Sequence, residues 1–595
     1  MNKYINKGCT PMTKEQFSIL YTLFKNHIKS REELSGLCDL SLENIDKDLK
    51  ILEDKMFVQD YSLTDLGKVE LDKHKVDNAV IMAAGLSSRF APLSYEYPKG
   101  LLEVKGERLI ERQIKQLREA GIEEIVVVVG YMKEKFFYLE DKYNVKILIN
   151  NDYYKRNNNS TLYVAQKYLK NSYICSSDNY FAENVFESHV YDSYYAAMFS
   201  KEYTDEYCIK NDSKGRITNV TVSGENQWFM IGQVYFSKEF SKRFLDILLA
   251  KYNEPGLDKM LWEDIYINHI DKLDMYIRKY EEGTIFEFDT LEDLRKFDSK
   301  YINNTESKIL KNICKVLKCS EADIKNIAPI NKGLTNTSFL FECKDKRYVY
   351  RHPGAGTEEI INRASEAKSQ NLAKELGIDN TLIYISEDEG WKISHFMDNA
   401  IDFDYHNMED VKKGLALVRK IHDANVVSKW DFNIYEEAEK LIMLTGENNS
   451  STFEDFEELR TSITKLYDFV ESDGIQKRIC HNDCYAPNFL TDGKTMYLID
   501  WEYSGNSDPA SDLGTFICCS DYTKEEAMEV LKVYFGRDLT EIEMRHYLAY
   551  VAISGYYWFV WALYKESVGE IVGEYLYIWY KYTKTYSKIA LELYK

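Results

Sequence analysis

The stretch Ile479–Tyr503, ICHNDCYAPNFLTDGKTMYLIDWEY, constrains this chain more than any other. It sets His481, Asn482 and Asp483 ahead of Asn488, then runs through the apolar, strand-like Met496–Ile499 to Asp500, Trp501 and Glu502. Phosphoryl transfer to a hydroxyl needs a carboxylate that orients the attacking oxygen and oxygen ligands for magnesium on the donor phosphates. Asp483 meets the first need. Asn488 and Asp500 meet the second. Cys480, His481 and Cys484 also invite a zinc reading, because soft ligands cluster there. No second cysteine or histidine pair at zinc spacing lies nearby, so phosphoryl transfer is the favoured reading.

A chain of 595 residues is too long for one core, and length alone suggests roughly three or four domains. Hydrophobic content of 45% with only 8 Pro describes folded domains, not disorder. The formal charge of −21 argues against a nucleic-acid partner or an anionic membrane surface. The 11 cysteines form no C-x-x-C pair and the N-terminus has no apolar signal core, so reduced thiols and a cytoplasmic location are expected. Val551–Tyr564 is too short to span a bilayer, so no membrane insertion is expected.

The pattern H-N-D-x-x-x-x-N followed by a strand ending I-D-W-E resembles the choline kinase and aminoglycoside phosphotransferase group, relatives of protein kinases. The resemblance extends over about residues 301–595 and implies a two-lobed kinase fold using ATP and Mg²⁺. Asp483 would be the catalytic base, with Asn488 and Asp500 on the metal. The turn Lys332–Asn336 resembles the phosphate-covering loop, which makes Gly333 and Asn336 nucleotide-binding candidates. Arg351 stands where most relatives carry lysine and can grip phosphates bidentately; Glu366 is the acid expected to position it. ISHFMDN (393–399) would be the hinge strand. Trp501, Glu502, Tyr503, Trp558 and Trp561 are the acceptor candidates, since aromatic faces beside acids suit a trimethylammonium alcohol. Trp558 and Trp561 share a helix face.

Upstream, the strand-like NAVIMAAG passes into Leu86-Ser87-Ser88-Arg89, and Pro98-Lys99 comes ten residues later. Small residues at a strand end let backbone N–H groups approach a triphosphate, and Arg89 and Lys99 supply positive charge. The alternating pattern beyond this loop predicts a doubly wound parallel sheet over residues 78–300, with ligands at the carboxyl ends of its strands. The signature A-A-G-x-x-x-R…P-K resembles nucleotidyltransferases that act on phosphorylated acceptors. Stretches such as LIERQIKQLREAGIEEIVVVVGYMKEKFFYLEDKY, NSYICSSDNYF and TIFEFDTLEDLRKFD resemble the bacterial CTP:phosphocholine cytidylyltransferases. The resemblance implies a nucleotide site at Ala83, Ala84, Gly85, Ser87 and Ser160, with Arg89 and Lys99 catalytic. It implies Mg²⁺ on Asp178 and Glu263, with Asp264 the alternative to Glu263. Tyr180, Tyr207 and Trp228 would hold the quaternary ammonium. Where the family commonly carries another acid, two residues before Asp178, this chain has Ser176.

Residues 1–77 read as three helices, capped by Thr13, Ser30 and Ser41, and a small β wing; they resemble a winged-helix module. The third helix carries Glu43, Asp46, Asp48, Glu53 and Asp54 against Lys47, Lys50 and Lys55, which would repel phosphate. A regulatory or dimerising module is expected, with a homo-oligomer left open. The expected architecture is multidomain α/β and α+β: winged helix, then a Rossmann-like nucleotidyltransferase domain, then a two-lobed protein-kinase-like domain. The resemblances together imply a bifunctional enzyme with small-molecule partners: choline, phosphocholine, ATP and CTP. The competing readings are a sugar kinase fused to a sugar-1-phosphate nucleotidyltransferase, and a winged-helix regulator sensing choline metabolites.

Overall fold

The structure, a computed structural model, describes residues 11–330, 336–354, 361–445, 453–569 and 572–595; the candidate Gly333 lies outside them. The chain forms two compact units, Met1–Asn312 and Ile313–Lys595.

In the first unit, helices Lys14–Lys25, Arg31–Cys38 and Leu42–Asp54 begin at Thr13, Ser30 and Ser41, whose side chains accept backbone N–H bonds as N-caps. Ile19, Leu20, Leu34, Ile45 and Leu52 meet in their shared core with no exposed surface. Two-residue strands Val58–Gln59 and Ser62–Leu63 and helix Asp65–Leu71 complete the segment. Side chains fasten this segment to residues 74 and 191 beyond it. The Tyr191 hydroxyl donates to the Met12 carbonyl at 2.6 Å, and the Phe17 ring packs on His74 and Tyr191.

The rest of the unit is built on a nine-stranded sheet. Its parallel part sets Asn78–Ala83 between Ser172–Ser176 and Glu124–Val129, with Lys146–Ile149 outside the latter. Val126 to Val129 have no exposed surface, as expected of a strand covered on both faces. Strands Tyr194–Ser200, Thr204–Asn211, Ile217–Gly224 and Gln227–Phe236 extend the sheet in antiparallel pairs. The sequence pattern puts Asp178 at the end of a strand, but Ser172–Ser176 stops before it and the acid sits in the turn beyond.

The second unit opens with a five-stranded antiparallel sheet in the order Ile324–Ile330, Asn336–Cys343, Lys346–Pro353, Lys392–His395, Leu382–Ile385. Helix Arg363–Glu375 is the sheet's companion, and a helical lobe comes after it. Two short ribbons, Arg478–Cys480 with Gly505–Ser507 and Phe489–Thr491 with Met496–Leu498, carry the His481–Glu502 segment. The spine of the lobe is the 27-residue helix Glu541–Ser567, buried from His546 through Leu563. A helix apolar on all sides belongs in a core, and Ala510–Cys518, Ile434–Thr445 and Tyr575–Leu593 pack around it. Among the described residues no helix is long and apolar enough to cross a membrane.

Candidate active sites

The first site is a cavity of about 670 Å³ lined from the ends of strands Asn78–Ala83 and Ser172–Ser176. Ala83, Ala84, Gly85, Ser87, Arg89, Lys99, Ser160 and Asp178 all line it. Ser87 turns the loop through a left-handed φ of 48°. Gly100 has a stricter role: a Cβ there would lie 2.7 Å from Ser177 Oγ, so the neighbouring Lys99 reaches its place only with glycine beside it. Lys99 is buried, its Nζ 2.8 Å from Asp178 Oδ2. Burial works to discharge this ammonium, but Asp178 and Glu287 outweigh it and hold its pKa above the ordinary lysine value.

Two acids in this cavity escape the sequence reading. Glu287 and Asp289 line it with Asp178, brought there by the ribbon that pairs Ile285–Phe286 with Tyr180–Phe181. Burial, with Asp178 next to it, pushes the Glu287 carboxyl up to about 7. Asp289 pairs with the exposed Arg89 at 3.0 Å.

Glu263 stands elsewhere. It accepts hydrogen bonds from Asn158 Nδ2 at 3.1 Å and the Tyr195 hydroxyl at 3.3 Å, and burial pushes it up to about 7. Asn158 lines the cavity; Glu263 lies one hydrogen bond behind it. The alternative, Asp264, caps its own helix through Leu261 N–H and accepts from the Tyr207 hydroxyl at 2.8 Å. The three aromatics expected around an ammonium group, Tyr180, Tyr207 and Trp228, are not among the cavity's lining. Two already carry a cation: the Arg112 guanidinium lies 4.7 Å from the Tyr180 ring centre and Lys279 Nζ 4.7 Å from that of Trp228.

In the second unit, Asp483, Asn488, Asp500 and Glu502 are held by the two ribbons. Asn488 Nδ2 donates to Asp483 Oδ2 at 2.9 Å and to the Asp483 carbonyl at 2.8 Å. Burial first, then Asp500 and Glu502, raises the Asp483 pKa well above the usual carboxylate range. The loop is anchored from below: His481 N–H donates to Asp512 at 3.0 Å, and His422 meets the same carboxylate at 2.8 Å. Asn482 and Asp500 both adopt left-handed backbone, φ 64° and 65°, where strain is tolerated only when the surroundings fix it. Arg351 pairs with Glu366, and its Nη1 lies 2.6 Å from Asp500 Oδ1. Asn336 Nδ2 donates to Glu502 at 2.8 Å.

Lys392 also escapes the sequence reading. Its Nζ lies 3.2 Å from Asp500 Oδ1, 3.4 Å from Gln370 Oε1 and 3.7 Å from Glu366. Burial opposes ionisation of Asp500, but Lys392 and Arg351 win and hold its carboxyl well below the usual range. The zinc reading fails on geometry. Cys480 Sγ faces the Ser507 carbonyl, and the His481 ring bonds the Ile499 carbonyl and Asp483 N–H, so the trio shares no centre. Trp501 is fully buried, with Nε1 donating to the Leu498 carbonyl. Tyr503, Trp558 and Trp561 form a buried wall with Trp579, their rings edge-to-face or tilted at 5.6–6.4 Å.

Residues 79–184 match the MobA-like NTP transferase domain family. Over 229 residues the chain is 37% identical to the 2-aminoethylphosphonate cytidylyltransferase of Lancefieldella rimae, covering 38% of this chain and 93% of that one. Over 220 residues it is 30% identical to the choline-phosphate cytidylyltransferase of Streptococcus pneumoniae, covering 37% and 96%. The chain belongs to the cytidylyltransferase family.

The residues that match the NTP transferase family lie within the first unit. Residues 327–548 match the choline/ethanolamine kinase family, and protein LicA of Haemophilus influenzae is 25% identical over 252 residues, covering 41% of this chain and 94% of that one. Both are enzyme families. The chain therefore joins a cytidylyltransferase and a kinase of the choline/ethanolamine type, the first cavity lying in the former and the Asp483–Asp500 cluster in the latter.

Proposed function

We propose that the chain phosphorylates choline with ATP and transfers CMP from CTP to the resulting phosphocholine, giving CDP-choline and pyrophosphate. The observation that carries this reading is the pairing itself. A kinase of the choline/ethanolamine family makes a phosphomonoester, the acceptor class of the choline-phosphate cytidylyltransferase that the other half is similar to. The relative with higher identity acts on 2-aminoethylphosphonate. A phosphonate has a carbon–phosphorus bond, which phosphorylation of an alcohol does not make, so the kinase half would not feed that acceptor. A fused sugar kinase and sugar-1-phosphate nucleotidyltransferase would use both clusters, but the kinase half matches a choline/ethanolamine family, and a pure regulator leaves both clusters without a role.

In the transferase half, Arg89 and Lys99 would hold the triphosphate and stabilise charge on the departing pyrophosphate. The crowded carboxylates Asp178 and Glu287, with Asp289 beside them, suit a divalent cation, and the Glu287 pKa is raised by burial first and by the neighbouring Asp178 second. Bound Mg²⁺ would neutralise charge on the donor phosphates. Glu263 is better placed to fix Asn158 than to touch metal. In the kinase half, Asp483 would orient the acceptor hydroxyl, and Arg351, set by Glu366, would hold the ATP phosphates. Asn488 and Asp500 would be the metal ligands, and the aromatic wall of Tyr503, Trp558 and Trp561 would face the ammonium group. The N-terminal helices and ribbon we assign to a winged-helix-like regulatory module, in a cytoplasmic protein.

The acceptor question is tested by supplying the purified chain with CTP, Mg²⁺ and either phosphocholine or 2-aminoethylphosphonate. Phosphocholine should be the better acceptor; a clear preference for the phosphonate would overturn the coupling of the two halves.

A further inference from the structure

A second cavity, of about 520 Å³, lies between the N-terminal helices and the transferase sheet. Helix Lys14–Lys25 supplies one wall, with Lys14, Tyr21 and Lys25; the other carries Tyr191, Tyr276 and Arg278. Its volume falls in the range of small-molecule sites. Rings stand on both walls: Phe17 and Tyr21 stack at 5.7 Å and 18°, and Tyr276 lies under Lys14 at 5.4 Å. The charge is positive on balance. The lining holds Lys14, Lys25 and Arg278 against two carboxylates, Asp192 and Glu187. Each carboxylate is taken, Asp192 by Lys14 at 3.4 Å and Glu187 by Arg278 at 2.6 Å. Among the described residues Lys25 has no carboxylate partner, and its Nζ sits 5.3 Å from the Tyr21 ring centre.

We propose that this cavity binds a nucleoside phosphate, its base among the tyrosine rings and its phosphate on Lys25, Lys14 and Arg278. Flat aromatic walls hold any base, and clustered cations with one charge in excess call for an anion. Its two acids are already paired with cations and leave no free carboxylates to hold a catalytic metal, so the site binds and does not react. It is distinct from the first cavity but connected to it through the sheet. Tyr194 lines the second cavity; the next residue, Tyr195, reaches Glu263, which holds Asn158 of the first. The ligand is therefore an effector, and the N-terminal module is the half of the site that the cytidylyltransferase domain does not supply. The proposal rests on the cavity, not on which acceptor the transferase uses.

The test is hydrogen exchange on the full chain with ATP, CTP, CDP-choline, cytidine or inorganic phosphate, run on wild type, Tyr21→Ala and Lys25→Glu. At least one of the three phosphorylated nucleosides should slow exchange in residues 14–25. Cytidine and inorganic phosphate should each do so at least tenfold less well. Both substitutions should raise the concentration needed by tenfold or more, while CTP still protects residues 82–100. No nucleotide protecting residues 14–25, unchanged titrations in both variants, or inorganic phosphate matching the nucleotides would overturn the proposal.

Discussion

Lys99 Nζ lies 2.8 Å from Asp178 Oδ2, a buried cation against an acid that lines the nucleotide cavity. Such a pair is costly to break from one side, because the partner left behind is a charge in low dielectric. Lys99→Ala should therefore lower cytidylyl transfer by about 10²–10³-fold, the usual loss when a donor to developing charge is removed. Kinase activity should stay near wild type. Rates of both half-reactions on one preparation check this; near-normal transferase turnover would remove Lys99 from the site.

Asp483 and Asn488 are joined by a 2.9 Å hydrogen bond, which orients the carboxylate without neutralising it. Asp483→Asn should lower phosphocholine formation by about 10²–10⁴-fold, the range for loss of a positioned general base. Conversion of added phosphocholine to CDP-choline should persist. Substantial kinase turnover in the variant would exclude the role.

Lys392 and Arg351 reach the same oxygen, Asp500 Oδ1, at 3.2 and 2.6 Å. Both cations also meet Glu366, so Lys392 is one member of a buried charge cluster. In the proposed kinase site that cluster would also hold the ATP phosphates. Lys392→Met should raise the Michaelis constant for ATP by about tenfold, the weight of one charge-assisted hydrogen bond, and leave that for choline little changed. Lys392→Arg should restore part of the loss. Parallel drift of both constants in both variants would mean Lys392 only supports the sheet.

His546 is clamped between Asp473 and Asp508, 3.0 Å from each. Burial works against its charge, but the two carboxylates win and raise its pKa. A raised histidine pKa contributes stability that is complete below the unfolded value of about 6.5 and is lost as pH rises through the folded value. His546→Gln should thus cost most at pH 6, about 3 kcal/mol for a broken buried pair, and less at pH 9. Urea midpoints followed by tryptophan fluorescence give the comparison; an equal cost at both pH values would contradict the clamp.

The transferase loop is legible in the sequence because its parts are close together. Ala83 to Lys99 run on from one strand, and the strand-end rule places Asp178 nearby. Glu287 and Asp289 are not legible as ligands, because a two-residue ribbon with Tyr180–Phe181 delivers them from a distant segment, and no periodicity announces so short a pairing. Glu263 comes from the other direction, as the acid the family resemblance implies, yet its helix turns it inward onto Tyr195 and Asn158. Trp501 comes after Asp500, whose left-handed backbone accompanies an indole buried in the core. Lys392 carries no signal at all; only the packing of its strand aims it at Asp500.

The central claim is that one chain runs both reactions in sequence. Purified protein incubated with choline, ATP, CTP and Mg²⁺, and sampled for choline esters over time, tests it most directly. The account predicts CDP-choline formed from free choline, dependent on both nucleotides, with phosphocholine alone when CTP is left out. Failure to phosphorylate choline, or accumulation of phosphocholine that is never converted when CTP is present, would contradict it.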